Sequence, residues 1–227
     1  DITADGNQLT IKSDSSVHLE QRDIDMKDFS IMIERTIHAL YKKGVDLITI
    51  TVEHPQDIER IQQSINKETV GYEIVDQSAL SCTIRSVASH IGEFDNLLRR
   101  AFLVQLTMCK DSLKAIETKE YARLHQIKYL EETNNRLTTL CRRAINKQEV
   151  EVQKIGPMYY IIEDMENLAD EYKYMFDYIL KQKNLQISNK VHKIYKDTAQ
   201  MMEDYYTLFY QFDEKLVAKL GTERKRI

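Results

Sequence analysis

The strongest constraint on this chain is a set of apolar stripes in its C-terminal part. One runs Met158, Ile162, Met165, Ala169, Tyr172, Phe176, Ile179. A second runs Ile127, Leu130, Asn134, Leu137, Cys141, Ala144, and a third Val191, Tyr195, Thr198, Met202, Tyr205, Phe209, Phe212, Leu216. Steps of three and four place such residues along one side of an α-helix, which must then bury that side against a neighbour. With 6 Gly, 2 Pro and 30% charged residues in 227 positions, little interrupts helix formation. The pattern predicts helices at about 90–117, 121–146, 157–182 and 188–220, with a turn at Thr118-Lys119-Glu120 and a stop at Gly221. Short connections make consecutive helices antiparallel neighbours. Met and Tyr within the stripes read as core.

Residues 1–87 mix the two periodicities. Asp5-Gly6 flanked by alternating apolar residues is a hairpin signal, and a chain that opens inside it predicts a preceding segment. A polar stretch, 13–28, follows. Phe29, Ile33, Ile37 and Leu40 mark a helix over 29–43, ended by Gly44 at the position favouring a left-handed backbone. Leu47–Val52 alternates as a strand, Asp57–Asn66 reads as a short helix, and 71–75 and 81–87 read as strands. The predicted order is β-α-β-α-β-β, a small α/β domain of ferredoxin-like kind over 1–87, followed by a mainly α, antiparallel bundle over 88–227.

Composition and motifs exclude several functions. Net charge is -4, and the one basic cluster, Arg224-Lys225-Arg226, reads as a frayed end, so direct nucleic-acid binding by this region is not expected. Cys82, Cys109 and Cys141 are far apart and show no CxxC spacing, which predicts free thiols in a reducing compartment. No apolar run reaches the roughly 18 residues of a membrane span, and the expected location is the cytoplasm. There is no GxGxxG or P-loop to cradle a nucleotide. A di-iron bundle enzyme needs Glu-x-x-His on two helices. Here Ala122 precedes His125 at that spacing, and Ala169 follows Glu166. No Ser, His and Asp share a recognisable motif, so no catalytic residue is assigned.

One constellation carries possible chemistry. Glu166 and Asp170 lie four apart, each directly after a stripe residue, and Glu131 and Asn135 stand in the same relation to their own stripe. In an antiparallel pair they can line one groove. Three carboxylates and an amide oxygen suit a hard cation such as Mg²⁺, Ca²⁺, Mn²⁺ or iron. The competing reading is a solvated face, or pairing with bases such as Lys173 or Arg136.

These segments carry a resemblance. Met165-Glu166-Asn167-Leu168-Ala169-Asp170-Glu171 resembles the ERI(G/A)D signature of PhoU proteins, and Glu131-Glu132-Thr133-Asn134-Asn135-Arg136-Leu137 resembles the DDEVDRL segment of the preceding helix. Arg99-Arg100-Ala101-Phe102 through Met108 resembles the first PhoU helix. The order resembles archaeal PhoU-like phosphate uptake regulators of AbrB/PhoU type, over roughly 26–182, with 1–12 similar to the tail of an AbrB-like DNA-binding hairpin. The resemblance implies metal positions at Glu166, Asp170, Glu131 and Asn135, the last with an amide where an acid is usual. It also implies a divalent metal or iron (Mg, Mn, Fe, Zn or Ca), the ATPase of a phosphate ABC transporter as partner, and DNA contact only through a missing N-terminal region. Only the first helix of the family's second bundle is expected in this chain, and an apolar fourth helix predicts a homo-oligomer, a dimer first.

The sequence therefore predicts a regulator of phosphate uptake acting as a metal-binding adaptor, with no enzymatic activity. The alternative is a metal-free dimerisation and effector-sensing module of a transcription regulator.

Overall fold

The computed structural model describes residues 2–5, 8–11, 19–87, 94–147, 154–182 and 185–226, of which 2–5, 8–11 and Ser30 are described by backbone alone. The chain divides into two compact units, Asp1–Ile65 with Gly71–Ser89, and Asn66–Val70 with His90–Ile227.

In the first unit, β1 (Ile2–Asp5) and β2 (Gln8–Ile11) pair antiparallel, as the hairpin signal predicts. Gly6, Asn7 and Lys12 lie outside the described residues. This hairpin is a sheet of its own. The first strand of the main sheet is instead β3 (Gln21–Asp25), inside the polar stretch 13–28 to which the sequence assigns no element. Four of its five residues are polar, so neither β-branching nor apolar alternation announces it. It is an edge strand held by backbone pairing to β4 (Leu47–Thr51). Between them run α1 (Met26–Phe29), a 3-10 turn (Ser30–Met32) and α2 (Ile33–Lys43), in place of one helix over 29–43. Gly44 ends α2 with φ 105°, its N–H donating to the Leu40 and Tyr41 carbonyls.

After β4 come α3 (Gln56–Glu68), β5 (Tyr72–Gln77) and β6 (Ser81–Ser86). The sheet order is β3-β4-β6-β5, with β3 and β4 parallel and the other pairs antiparallel. This is not the expected ferredoxin-like arrangement, in which another strand splits the βαβ unit. Here β3 and β4 are direct neighbours, and β5 returns as a hairpin onto β6. The register sets Ile48 opposite Ile84 and Ile50 opposite Cys82, all buried on one face of the sheet. Ile33, Ile37 and Tyr41 of α2 and Ile58, Ile61 and Ile65 of α3 are buried with them as a second layer. His38 Nε2 lies 2.8 Å from Ser64 Oγ and ties the two helices together. The Tyr72 hydroxyl donates to the Val45 carbonyl at 2.5 Å.

The second unit is helical. α4 (Phe94–Glu117) ends at Lys119, whose φ of 58° makes the expected turn; residues 90–93, the expected start of this helix, lie outside the described part. The predicted 121–146 helix is segmented into a 3-10 turn (Tyr121–Arg123), α5 (Leu124–Lys128) and α6 (Leu130–Asn146), with the break at Tyr129. There the N–H bonds three residues back, to Gln126, rather than four. α7 (Ile155–Lys181) is one continuous helix with Pro157 in its first turn.

The predicted 188–220 helix is two, α8 (Asn189–Tyr210) and α9 (Glu214–Arg226), and Gly221 sits inside α9 rather than ending it. Lys219 pairs with Asp204 and Arg226 with Asp197, so α9 runs back antiparallel along α8. α4, α6 and α7 pack on one another, and α8 lies against α4. Among the described residues no helix is long and apolar enough to cross a membrane.

The α7 stripe is buried from Ile162 to Ile179, as its spacing requires. The α8 stripe is buried in part: Tyr195, Met202 and Phe209, with Tyr206 beside them, pack against the core, while Val191 is exposed and Phe212 is 76% exposed in the break. Ala199, next to the stripe, is the one buried residue of α8.

Candidate functional site at the α6–α7 groove

Two apolar clusters fill the helical unit. One gathers Phe102, Leu137, Cys141 and Ile162, the other Cys109, Ile127, Tyr172 and Phe176. A polar layer crosses the bundle between them. Gln105 of α4 and Asn134 of α6, both fully buried, each donate an amide N–H to the Met165 carbonyl of α7, Asn134 at 3.3 Å. Three helices meeting at one carbonyl can do so in one register only, because a slip would bury unpaired amides at a cost of about 1–3 kcal/mol each. Asn134 thus belongs to the stripe by position and to this layer by chemistry.

Beside that layer, the α6 residues Glu131, Asn135, Thr138 and Arg142 continue each other at steps of four, three and four. On α7 the facing series is Glu163, Glu166, Asp170, Lys173 and Asp177. The helices run antiparallel, and the charges meet in alternating sign. Lys128 of α5 pairs with Asp177 at 2.6 Å, Glu131 with Lys173 at 2.7 Å, and Arg142 with both Glu163 and Glu166. The Arg142 side chain is 1% exposed, a cation fixed inside the bundle, and its guanidinium also reaches Thr139 Oγ1 at 3.4 Å.

The structure brings all four sequence-predicted residues into this groove, but around bases. Glu131, 5% exposed, accepts from Lys173 Nζ and from Asn135 Nδ2, both at 2.7 Å. Asp170 accepts from the same Lys173 Nζ at 2.5 Å. Glu166 is held apart from them by Arg142. Partial burial works against the Lys173 ammonium, but its hydrogen bonds to Asp170 and Glu131 and their negative charge outweigh that and raise its pKa above the ordinary lysine range.

Whether the set suits a metal turns on Asn135. As a ligand it would present Oδ1 to the ion; here its amide N–H goes to Glu131 and its Oδ1 is buried with no hydrogen-bond partner. Among the described residues no group of three or more His, Cys, Asp or Glu is gathered as a metal cage. In this arrangement Lys173 and Arg142 take up carboxylate oxygens that a divalent cation would need.

Lys173 stood among the possible partners in the sequence. Arg142 did not, although it lies seven residues after Asn135 on the same face of α6 and likewise directly follows a stripe residue. Arg136, the other base considered, is exposed on another side of α6. Gln105 carried no signal, since a lone polar residue in an apolar helix face is common.

Among the described residues of the unit, the cysteine and serine side chains that have close hydroxyl or thiol partners lie in the core. Cys109 Sγ lies 2.6 Å from the Tyr172 hydroxyl, and Ser112 Oγ lies 2.5 Å from the Tyr195 hydroxyl, both within the core. Burial pushes the Cys109 thiol up to about 11 and Cys141 up to about 12, so both are neutral and unreactive near pH 7. Comparison with protein-family models, with curated proteins and with solved structures gives no match.

Proposed function

We propose that the chain is a PhoU-like regulator of phosphate uptake whose helical unit is a non-catalytic, cytoplasmic adaptor. The observation that carries the reading is the juxtaposition of the two motif-bearing segments. The Glu131-Asn135 segment of α6 and the Glu166-Asp170 segment of α7 lie antiparallel on one groove, joined through Lys173. The three PhoU-like segments lie on α4, α6 and α7, which pack on one another.

An adaptor needs a surface for protein contacts. Tyr160, Tyr174 and Tyr178 stand exposed along α7, and tyrosine is enriched at protein interfaces. The resemblance names the partner, the ATPase of a phosphate ABC transporter. The sequence readings are a metal-binding adaptor and a metal-free dimerisation and effector-sensing module; the paired bases in the groove support an adaptor that departs from the first only in needing no metal.

The test is phosphate uptake in source cells with and without the gene, together with binding of the purified chain to the cognate transporter ATPase by calorimetry. Faster uptake in phosphate-replete mutant cells and a saturable complex are the expected results. Unchanged uptake with no complex overturns the reading.

A further inference from the structure

The arrangement in the α6–α7 groove departs from what the family resemblance implies, and the departure is coherent. Where a cation would be expected, a protonated amine already sits. Lys173 Nζ is 2.7 Å from Glu131 Oε1 and 2.5 Å from Asp170 Oδ1, bridging one carboxylate from each helix. Where a fourth acid is usual, Asn135 donates a hydrogen bond to Glu131. An aspartate there, without a metal, would set a second negative charge against a buried one. Glu166, the remaining expected ligand, is committed to the fixed guanidinium of Arg142. The acid-to-amide change and the lysine each compensate for a missing divalent charge, and they converge on the same carboxylate.

We propose that Lys173, seconded by Asn135, takes the place of a divalent cation in this groove, so that the helical unit closes its carboxylates with its own side chains and works without metal. The inference rests on the PhoU-like reading only for treating these four positions as metal positions. The pairing itself stands on the structure.

A lysine differs from a metal in what it permits. Its single charge is fixed in the sequence and cannot be removed by chelators or metal supply. A groove built this way holds α6 on α7 under all metal conditions.

Two measurements test it, both on the purified full chain and neither using the transporter, so their failure is distinct from failure of the adaptor reading. The first is elemental analysis of protein prepared without chelator, with thermal melts in EDTA and in excess Mn²⁺. Substoichiometric metal and an unchanged Tm are expected; one equivalent of metal, or a Tm lowered by EDTA, overturns the proposal. The second is the double variant Lys173→Met, Asn135→Asp, which removes the ammonium and restores an acid. Affinity follows ligand charge, so Mn²⁺ binding by calorimetry is expected to tighten by about 10-fold or more over the parent, with a Tm that rises with added Mn²⁺. A folded double variant that binds Mn²⁺ no better than the parent shows that Lys173 is not holding a cation's place. Should the double variant fail to fold, the metal content and melts of the parent decide alone.

Discussion

At the scale of single residues, the molecule's titratable groups are arranged for packing rather than reactivity. Cys82 is buried on one face of the sheet and Cys109 and Cys141 between helices, and burial disfavours each thiolate. Reaction with a thiol reagent at pH 8 is therefore expected to be slow for all three in the native protein and fast once it is unfolded. The same shifts give a pH dependence. The folded thiols titrate at about 11 to about 12 against an ordinary value of 9.0, so the fold favours their protonated form. That stabilisation is complete below pH 9 and is lost as pH rises through the folded values. Urea midpoints measured across the alkaline range should fall, and the fall should weaken in a Cys141→Ala variant; an unaltered slope would count against burial as the cause.

At the scale of elements, pairing is specified by sign as well as by apolar stripe. The order plus, minus, plus from Lys128, Glu131 and Arg142 meets minus, plus, minus from Asp177, Lys173 and Glu166. Arg142→Met keeps most of the side-chain volume but strands two carboxylates. A buried pair broken on one side costs about 3–5 kcal/mol; Glu163 and Glu166 keep partial access to water, which lowers the expected loss to about 1–3 kcal/mol. Adding Glu163→Gln and Glu166→Gln should return part of it in urea unfolding. A neutral Arg142→Met would mean that the pair does not hold the register.

α9 is the opposite case. None of its side chains is buried, and exposed ion pairs, Lys219 with Asp204 and Arg226 with Asp197, tie it back to α8. Such pairs contribute about 0.2–1 kcal/mol each and are screened by salt. Its amides should exchange faster than those of α4, and faster still in about 0.5 M NaCl. Protection equal to that of α4 would show that α9 is held by more than these contacts.

At the scale of the whole molecule, sequence and tertiary structure divided the work along a physical line. Sequence by itself determined the mainly helical character, the small sheet before the helices, the α7 stripe, the Gly44 cap, the turn at Lys119 and strands β4, β5 and β6. All of these follow from local spacing and backbone preference. It also placed Glu131, Asn135, Glu166 and Asp170 on matching positions, because the relation of each to its stripe is local. The rest depended on partners distant in sequence. β3 is polar and gains its strand conformation from the edge of β4. The sheet order, with β3 directly beside β4, is a choice among pairings that element order leaves open. α8 buries only part of its stripe and ends at Tyr210 although no Gly or Pro stands there, since what it buries depends on where its neighbours lie. In the groove, only the antiparallel register of α6 on α7 brings Lys173 between Glu131 and Asp170 and Arg142 onto Glu166. Spacing along one helix fixes which residues share a face; which charge meets them there is settled by the neighbouring helix.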